Sequence, residues 1–332
     1  MKAKETGCGA DWYREAYRRM ALIRAFETKA ADCFTRSELA GNIHLYMGQE
    51  ASGVGACLAL RASDYITSTH RGHGHCLAKG ARTDLSMAEL FGKETGYCRG
   101  RGGSMHIVDV SLGILGANGI VGAGIPLAAG SALASKIKGD DGVTMAFFGD
   151  GASNQGTFHE TLNMAAAWKL PMVFLLENNQ YGVSTEIHRI TNTERLSVRA
   201  AAYGVPGVTV DGTDVETVFH AAAEAVERAR SGGGPSLVET MVYRYQGHYC
   251  GDPAAYRPKE YLTEGKSKDP LNNARMRLLA LGATETELAD IDRGVAEEIE
   301  SAYQFAKSSP DPDPSAVIDN VYSVDNERSV LR

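Results

Sequence analysis

Val143 to Thr185, VTMAFFGDGASNQGTFHETLNMAAAWKLPMVFLLENNQYGVST, constrains this chain more than any other stretch. An apolar run, Val143 to Phe148, stops at Gly149-Asp150-Gly151. A helical segment follows, and a second apolar run, Met172 to Leu176, stops at Glu177-Asn178-Asn179. The pattern reads as strand, helix, strand, which requires parallel strands and a right-handed crossover. Both polar clusters then stand at the carboxyl ends of neighbouring strands, where open α/β sheets bind ligands. A second unit of the same kind follows. Val208 to Val210 reads as a strand, Asp214 caps a helix over Val215 to Arg230, and SGGGP turns the chain into a strand over Ser236 to Tyr245. The expected fold is α/β, a mostly parallel sheet flanked by helices.

The chemistry of that edge follows from residue type. Asp150 and Asn179 carry hard oxygen donors, suited to Mg²⁺ or Ca²⁺ and poor for soft metals. Mg²⁺ takes one or two carboxylates and fills its octahedron with waters and phosphate oxygens. Gly149 and Gly151 let a ligand approach the backbone. A helix expected to begin near Ser153 aims free N–H groups at the same place. The residues fit a metal-bound diphosphate; they also fit two ordinary strand-end turns rich in Gly and Asn.

Other segments add candidates. Asp11 to Arg36 has the spacing of an amphipathic packing helix, with Trp12, Tyr13, Ala16, Tyr17, Met20, Ile23, Phe26 and Ala30 on one face. Gly41 to Leu60 starts as a loop holding His44 and becomes a helix from about Gln49. DYITSTHRGHGHCLAKG, Asp64 to Gly80, holds three His and Arg71 within six residues, in what reads as a Gly-rich loop. The spacing lacks the helical pairing of common zinc sites, and Arg71 suits a bidentate grip on phosphate. GYCRGRGGSMH, Gly96 to His106, is a basic Gly-rich loop. Leu115 to Ser135 is small and apolar, a tight turn leading into a closely packed helix. QGHYCGDPAAYRP, Gln246 to Pro258, leaves the last strand as a Gly/Pro loop. The glycine content of both long loops leaves open whether they are ordered without a ligand. Beyond Asp269, Asn272 to Leu281 and Thr286 to Ser308 read as helices. Pro310 to Ser315 is a stiff break, and a polar tail suited to lying on a partner runs to Arg332. The segments divide as 1–40, an N-terminal helical segment; 41–265, the α/β domain; and 266–332, C-terminal helices and tail.

The formal charge of −7 over 332 residues argues against nucleic acid as the main partner. The six cysteines form no C-x-x-C pair, so neither a zinc site nor a disulfide framework is indicated. Reduced thiols and the lack of a signal-peptide core point to a cytoplasmic location. No apolar run approaches membrane-spanning length. No G-x-G-x-x-G directly follows a strand, which weakens a nicotinamide-dependent oxidoreductase as the alternative.

Taken together, GDG, NQG, ENN and the following YG resemble the thiamine diphosphate signature of the α subunits of 2-oxo acid and acetoin dehydrogenase complexes. The resemblance spans His44 to Pro258 by motif, in the family's order, and extends more loosely outside. It implies a thiamine diphosphate-binding fold with Mg²⁺ held by Asp150, Asn179 and the carbonyl of Tyr181. It places Gly149, Asp150, Gly151 and Ala152 against the cofactor. HLYMGQEA resembles the family block whose His, here His44, lines the catalytic cavity. His70 and Arg71, and more weakly His73, correspond to the pair that grips the diphosphate. GRGGSMH resembles the segment bordering the active-site entrance, which offers Ser104 and His106. Gly119 and Val121 fall in the turn that supports the aminopyrimidine through its main chain. His248 matches the His proposed to move protons during acyl transfer; the regulatory Ser that follows it in mitochondrial pyruvate enzymes is Tyr249 here.

The wording HRGHGHCLAKG and HYCGDP is closer to acetoin than to pyruvate members. The implied activity is cleavage of acetoin to acetaldehyde, with the acetyl unit passed to the lipoyl group of an acyltransferase. The alternative is oxidative decarboxylation of pyruvate or another 2-oxo acid. The implied assembly is an α₂β₂ heterotetramer and the implied source a bacterium, with the β chain supplying the Glu that activates the aminopyrimidine.

Overall fold

The two apolar runs are adjacent parallel strands in the computed structural model of the chain, which describes residues 7–318. In chain order the elements are α1 (Ala10–Thr35), α2 (Glu50–Leu58), β1 (Tyr65–Thr67), α3 (Gly72–Lys79), α4 (Thr83–Leu90), α5 (Gly124–Lys138), β2 (Thr144–Gly149), α6 (Gly156–Trp168) and β3 (Met172–Asn178). There follow β4 (Tyr181–Gly182), β5 (Thr185–Glu186), β6 (Gly207–Asp211), α7 (Val215–Arg230), β7 (Ser236–Met241), α8 (Lys259–Ser267), α9 (Pro270–Ala280) and α10 (Glu285–Ser308). Five strands form one parallel sheet in the order β1-β2-β3-β7-β6, and β4 and β5 make a small antiparallel hairpin.

The sheet divides two cores because side chains alternate along each strand. Met145 and Phe147 of β2, and Val173 and Leu175 of β3, join a core shared with α1, α2, α3, α7, α9 and α10. Ala146, Phe148, Phe174 and Leu176 face the opposite core, built with α5 and α6. Every residue of β3 is buried, as a strand covered on both faces must be. Helix α1 buries Tyr13, Ala16, Tyr17, Met20, Ile23, Phe26, Ala30 and Cys33, the face its periodicity predicts, and Trp12 packs at its margin. Asp214 caps α7 by accepting from the Thr217 amide at 2.8 Å.

Some local expectations differ from the structure. The strand expected over Ser236 to Tyr245 ends at Met241, and Tyr243 to Tyr245 turn inward as irregular chain. The helix expected near Ser153 begins two to three residues later: a 3₁₀ turn, Gly151–Asn154, precedes α6. HRGHGHCLAKG is mostly helix α3 rather than a loop. Its glycines serve close packing, since a Cβ at Gly72 would strike Ala117 and one at Gly74 would strike the Tyr46 ring. The residues after the Pro-rich break lie on the loop before them, where Arg101 donates to the Ala316 carbonyl at 2.6 Å. The tail beyond residue 318 lies outside the described residues. No helix among those described is long and apolar enough to cross a membrane.

Candidate active site

The register of β2 on β3 sets the site. Gly149 pairs with Glu177, so Asp150 emerges one residue past that pair and Asn179 two residues past it, on adjacent strands. Both side chains are buried and line one cavity of about 290 Å³ at the carboxyl edge of the sheet. His70 and Arg71, just after β1, line the same space, with Gly149, Gly151, Ala152, Tyr181, Val121 and His248. The sheet edge therefore gathers residues from loops following β1, β2, β3 and β7.

Asp150 is enclosed, and its Oδ2 has no hydrogen-bond partner among the described residues. Burial raises its carboxyl from 3.8 to about 6, opposed by the positive charges of Arg244 and Arg71. A buried carboxylate oxygen without a partner is costly unless a cation meets it. The Asn179 amide is oriented by its neighbours. Its Oδ1 accepts from the Tyr181 N–H at 3.3 Å, its Nδ2 donates to Gln49 Oε1 at 3.4 Å, and its carbonyl accepts from the Tyr261 hydroxyl at 2.9 Å. Hard oxygens on Asp150 and Asn179, with two buried arginines behind them, form a donor set that fits a divalent cation carrying a phosphate ligand.

Arg71 is 4 % exposed, and burial, reinforced by Arg244, pulls its guanidinium down to about 9. It donates to the Leu45 carbonyl at 2.9 Å and to the His248 carbonyl at 2.8 Å. A third contact, 3.3 Å from Arg71 Nη2 to His248 Nδ1, makes that ring nitrogen an acceptor and leaves the proton on Nε2. His44 lies with ring centroids 5.0 Å from both His70 and His248. Burial, followed by the Arg71 charge, lowers all three imidazoles, His44 to about 3 and His248 to about 4. The cluster is thus neutral at physiological pH in this state.

The remaining candidates lie apart from the cavity wall. His106 is exposed; its ring stands beside Gly119, and its carbonyl accepts from Cys98 Sγ at 3.2 Å. Gly119 sits between the wall residues Asn118 and Ile120. His73 is buried away from the cavity, bonded to Glu27 at 3.1 Å and to Ser104 Oγ at 2.9 Å. That network joins α1, α3 and the 96–106 loop, a packing role in place of a diphosphate grip.

Both glycine-rich loops are held by carboxylates, the buried Glu89 and the half-buried Asp252. Glu89 accepts from the amides of Cys98, Gly100, Gly102 and Gly103 at 2.8 to 3.0 Å. Asp252 accepts from the His248 and Ala254 amides and the Tyr256 hydroxyl at 2.6 to 2.8 Å.

Sequence reasoning missed Arg244, Gln49 and Glu177. Arg244 is 1 % exposed, lines the cavity, and donates to the Val183 carbonyl at 2.9 Å and the Tyr256 hydroxyl at 2.8 Å. It had been absorbed into the expected strand; an arginine in an otherwise apolar strand end was the available signal. Glu177 accepts from the Tyr46 hydroxyl and meets His75 Nε2 at 3.1 Å beneath the cavity.

The mouth is apolar and open. Ile120, Val121, Val183 and Ile190 all line the cavity, with exposures of 71, 48, 53 and 45 %. Val183 also holds φ +56°, a left-handed backbone unusual for a β-branched residue.

Residues 18–315 match the family model described as dehydrogenase E1 component. The chain is 52 % identical over 307 residues to the α subunit of acetoin:2,6-dichlorophenolindophenol oxidoreductase of Bacillus subtilis, covering 92 % of each. It is 49 % identical over 308 residues to the protein of that name from Cupriavidus necator, again covering 92 % of each. The pyruvate dehydrogenase E1 component α subunit of Rhizobium meliloti is 44 % identical over 309 residues, covering 92 % of this chain and 89 % of that one.

Proposed function

The chain belongs to the dehydrogenase E1 component family, and on that premise we propose that it is the α subunit of a thiamine diphosphate-dependent acetoin dehydrogenase. It cleaves acetoin to acetaldehyde and passes the acetyl unit to the lipoyl group of an acyltransferase, working with a β subunit in an α₂β₂ assembly. One observation carries the cofactor assignment: a buried Asp150 with an unpartnered oxygen, in the same cavity as Asn179 and Tyr181. The choice of acetoin rests on the 52 and 49 % relatives against the 44 % pyruvate enzyme.

In this reading Asp150, Asn179 and the Tyr181 carbonyl hold Mg²⁺, and Gly149, Gly151 and Ala152 let the diphosphate lie against the backbone. Arg71 and His70 face its negative charge, and Gly119 and Val121 support the aminopyrimidine through main-chain groups. The bound cofactor supplies an acidic thiazolium carbon that attacks carbonyls and stores the resulting charge. The protein's part is placement and proton handling. His248, with Nδ1 occupied by Arg71, presents Nε2–H to the cavity and can lend and recover that proton. His44 packs edge-on against it, and His106 stands at the entrance. The apolar rim suits burial under the β subunit, which excludes water from the reacting centre.

The test is activity of the complex reconstituted with its β subunit. Reduction of 2,6-dichlorophenolindophenol is followed with acetoin and with pyruvate, with acetaldehyde and CO₂ measured as products. Acetoin is expected to give a kcat/KM at least tenfold above pyruvate. The reverse ratio, with CO₂ released, assigns the chain to the 2-oxo acid branch.

A further inference from the structure

Gln49 is 1 % exposed, lies on the cavity wall, and has no part in the assignment above. It occupies the cap position before α2, yet its side chain does not cap the helix. Its orientation is set by a chain of hydrogen bonds. The Tyr181 N–H donates to Asn179 Oδ1 at 3.3 Å, which fixes the NH₂ of Asn179 on the other side. That NH₂ donates to Gln49 at 3.4 Å, so the atom of Gln49 facing it is the oxygen. Gln49 Nε2 is therefore turned away from Asn179, and it has no partner among the described residues.

Two other wall residues share that condition. Among the described residues, Arg244 Nε is a buried donor without a partner, and Asp150 Oδ2 is a buried acceptor without one. Unpaired groups of both signs around one cavity call for a ligand that presents both signs, a cation for the carboxylate and anionic oxygens for the donors.

We infer that Gln49 is a further cofactor-binding residue: its Nε2 donates to an oxygen of the diphosphate, and its Oε1 keeps the Asn179 amide turned for the metal. The inference rests on the thiamine diphosphate reading and extends it to a residue on α2. A purely structural Gln49, present only to prop Asn179, makes a different prediction. Its removal would cost the ligand-free fold the Asn179 hydrogen bond and leave affinity for the phosphates nearly unchanged, whereas removing a donor to the diphosphate lowers that affinity as well.

The experiment uses the α–β complex with Gln49→Met, which keeps volume but removes the amide, and Gln49→Glu, which keeps an acceptor and puts a negative charge beside the diphosphate. Two quantities are measured: the Kd for thiamine diphosphate at saturating Mg²⁺, by fluorescence quenching and calorimetry, and the melting temperature of the ligand-free complex. Magnesium pyrophosphate serves as a second ligand, carrying the phosphates alone. Gln49→Met is expected to weaken both ligands roughly 10- to 100-fold, the worth of a hydrogen bond to a charged group, and to lower the ligand-free melting temperature by no more than the one lost Asn179 hydrogen bond accounts for, roughly 4 °C at most. Gln49→Glu is expected to weaken them further. Unchanged affinity in both variants, or a ligand-free melting temperature lowered by much more than one hydrogen bond accounts for, overturns the assignment of Gln49. Failure of the unsubstituted complex to bind thiamine diphosphate with Mg²⁺ overturns the cofactor reading itself, and Gln49 with it.

Discussion

Asp150→Asn should stabilise the ligand-free protein while destroying its site. The Asp150 carboxyl is enclosed, and burial raises it from 3.8 to about 6, with the adjacent backbone amides, Arg244 and Arg71 pulling it back. A carboxyl raised in the folded state gives a contribution that is complete below the unfolded value and lost as pH rises through the folded one. At neutral pH the ionised group therefore destabilises the fold. At about 1.4 kcal/mol per pH unit, the gap between 3.8 and about 6 corresponds to about 3 kcal/mol. Spread over the unfolding entropy of a chain this long, that is roughly 4 °C in melting temperature. Asparagine keeps the shape and does not titrate.

The assay is thermal unfolding of ligand-free wild type and Asp150→Asn at pH 5, 6 and 7.5. Taking the difference between the two proteins cancels the histidines, whose lowered values act in the opposite sense. The variant should melt higher, with roughly half the full gap at pH 5 and all of it by pH 7. Saturating Mg²⁺ and thiamine diphosphate should reverse the order, because only the wild type gains stability by binding. A variant less stable than wild type at pH 7.5 without ligand, or a gap independent of pH, refutes the reasoning.

Arg71→Lys should weaken cofactor affinity about 100-fold, since an ammonium cannot bond the Leu45 and His248 carbonyls and still face a phosphate; titration calorimetry decides it. Glu89→Gln removes the charge that gathers four amides of the 98–103 segment. It should cost about 2–4 kcal/mol and speed amide exchange there, and an unchanged exchange pattern would contradict that role. Val183→Gly relieves a left-handed backbone and should raise ligand-free stability by about 1–2 kcal/mol in urea unfolding; a fall would show that the valine side chain matters more than its strain.

The parallel sheet was legible because apolar runs of strand length alternate with helical segments, and nothing else satisfies that pattern. The positions of Asp150 and Asn179 at neighbouring strand ends followed from the same reasoning. Helix α3 was not legible: two glycines in eight residues argue locally for a loop. What overrides them is long-range, the need for Gly72 and Gly74 to pass within contact of Ala117 and Tyr46. His73 was misjudged for a related reason. Three histidines in six residues look alike in sequence, but His70 lies ahead of α3 and lines the cavity, while the helix carries His73 toward Glu27. Arg244 and Gln49 were missed because each belongs to the site through a fold-level approach, from the chain after β7 and the start of α2, that no local motif announces.

The site is divided between what this chain fixes and what it leaves open. Asp150 and Asn179 are set by the register of β2 on β3, and the loops beside them are tied by Glu89 and Asp252, so the Asp150 end of the cavity needs little rearrangement. The opposite end is a rim of exposed Ile120, Val121, Val183 and Ile190. Apolar surface of that kind is stabilised by a partner that covers it. If the β subunit seals the rim, it also removes water from around the diphosphate and strengthens every charge contact there. Cofactor and β subunit must then each raise the affinity for the other by the same factor, because binding free energies around a cycle are reciprocal. Measured separately, the cofactor's Kd with and without β, and β's Kd with and without cofactor and Mg²⁺, should shift by one common ratio. A ratio of one in both would place the cofactor wholly on this chain and leave the rim to some other contact.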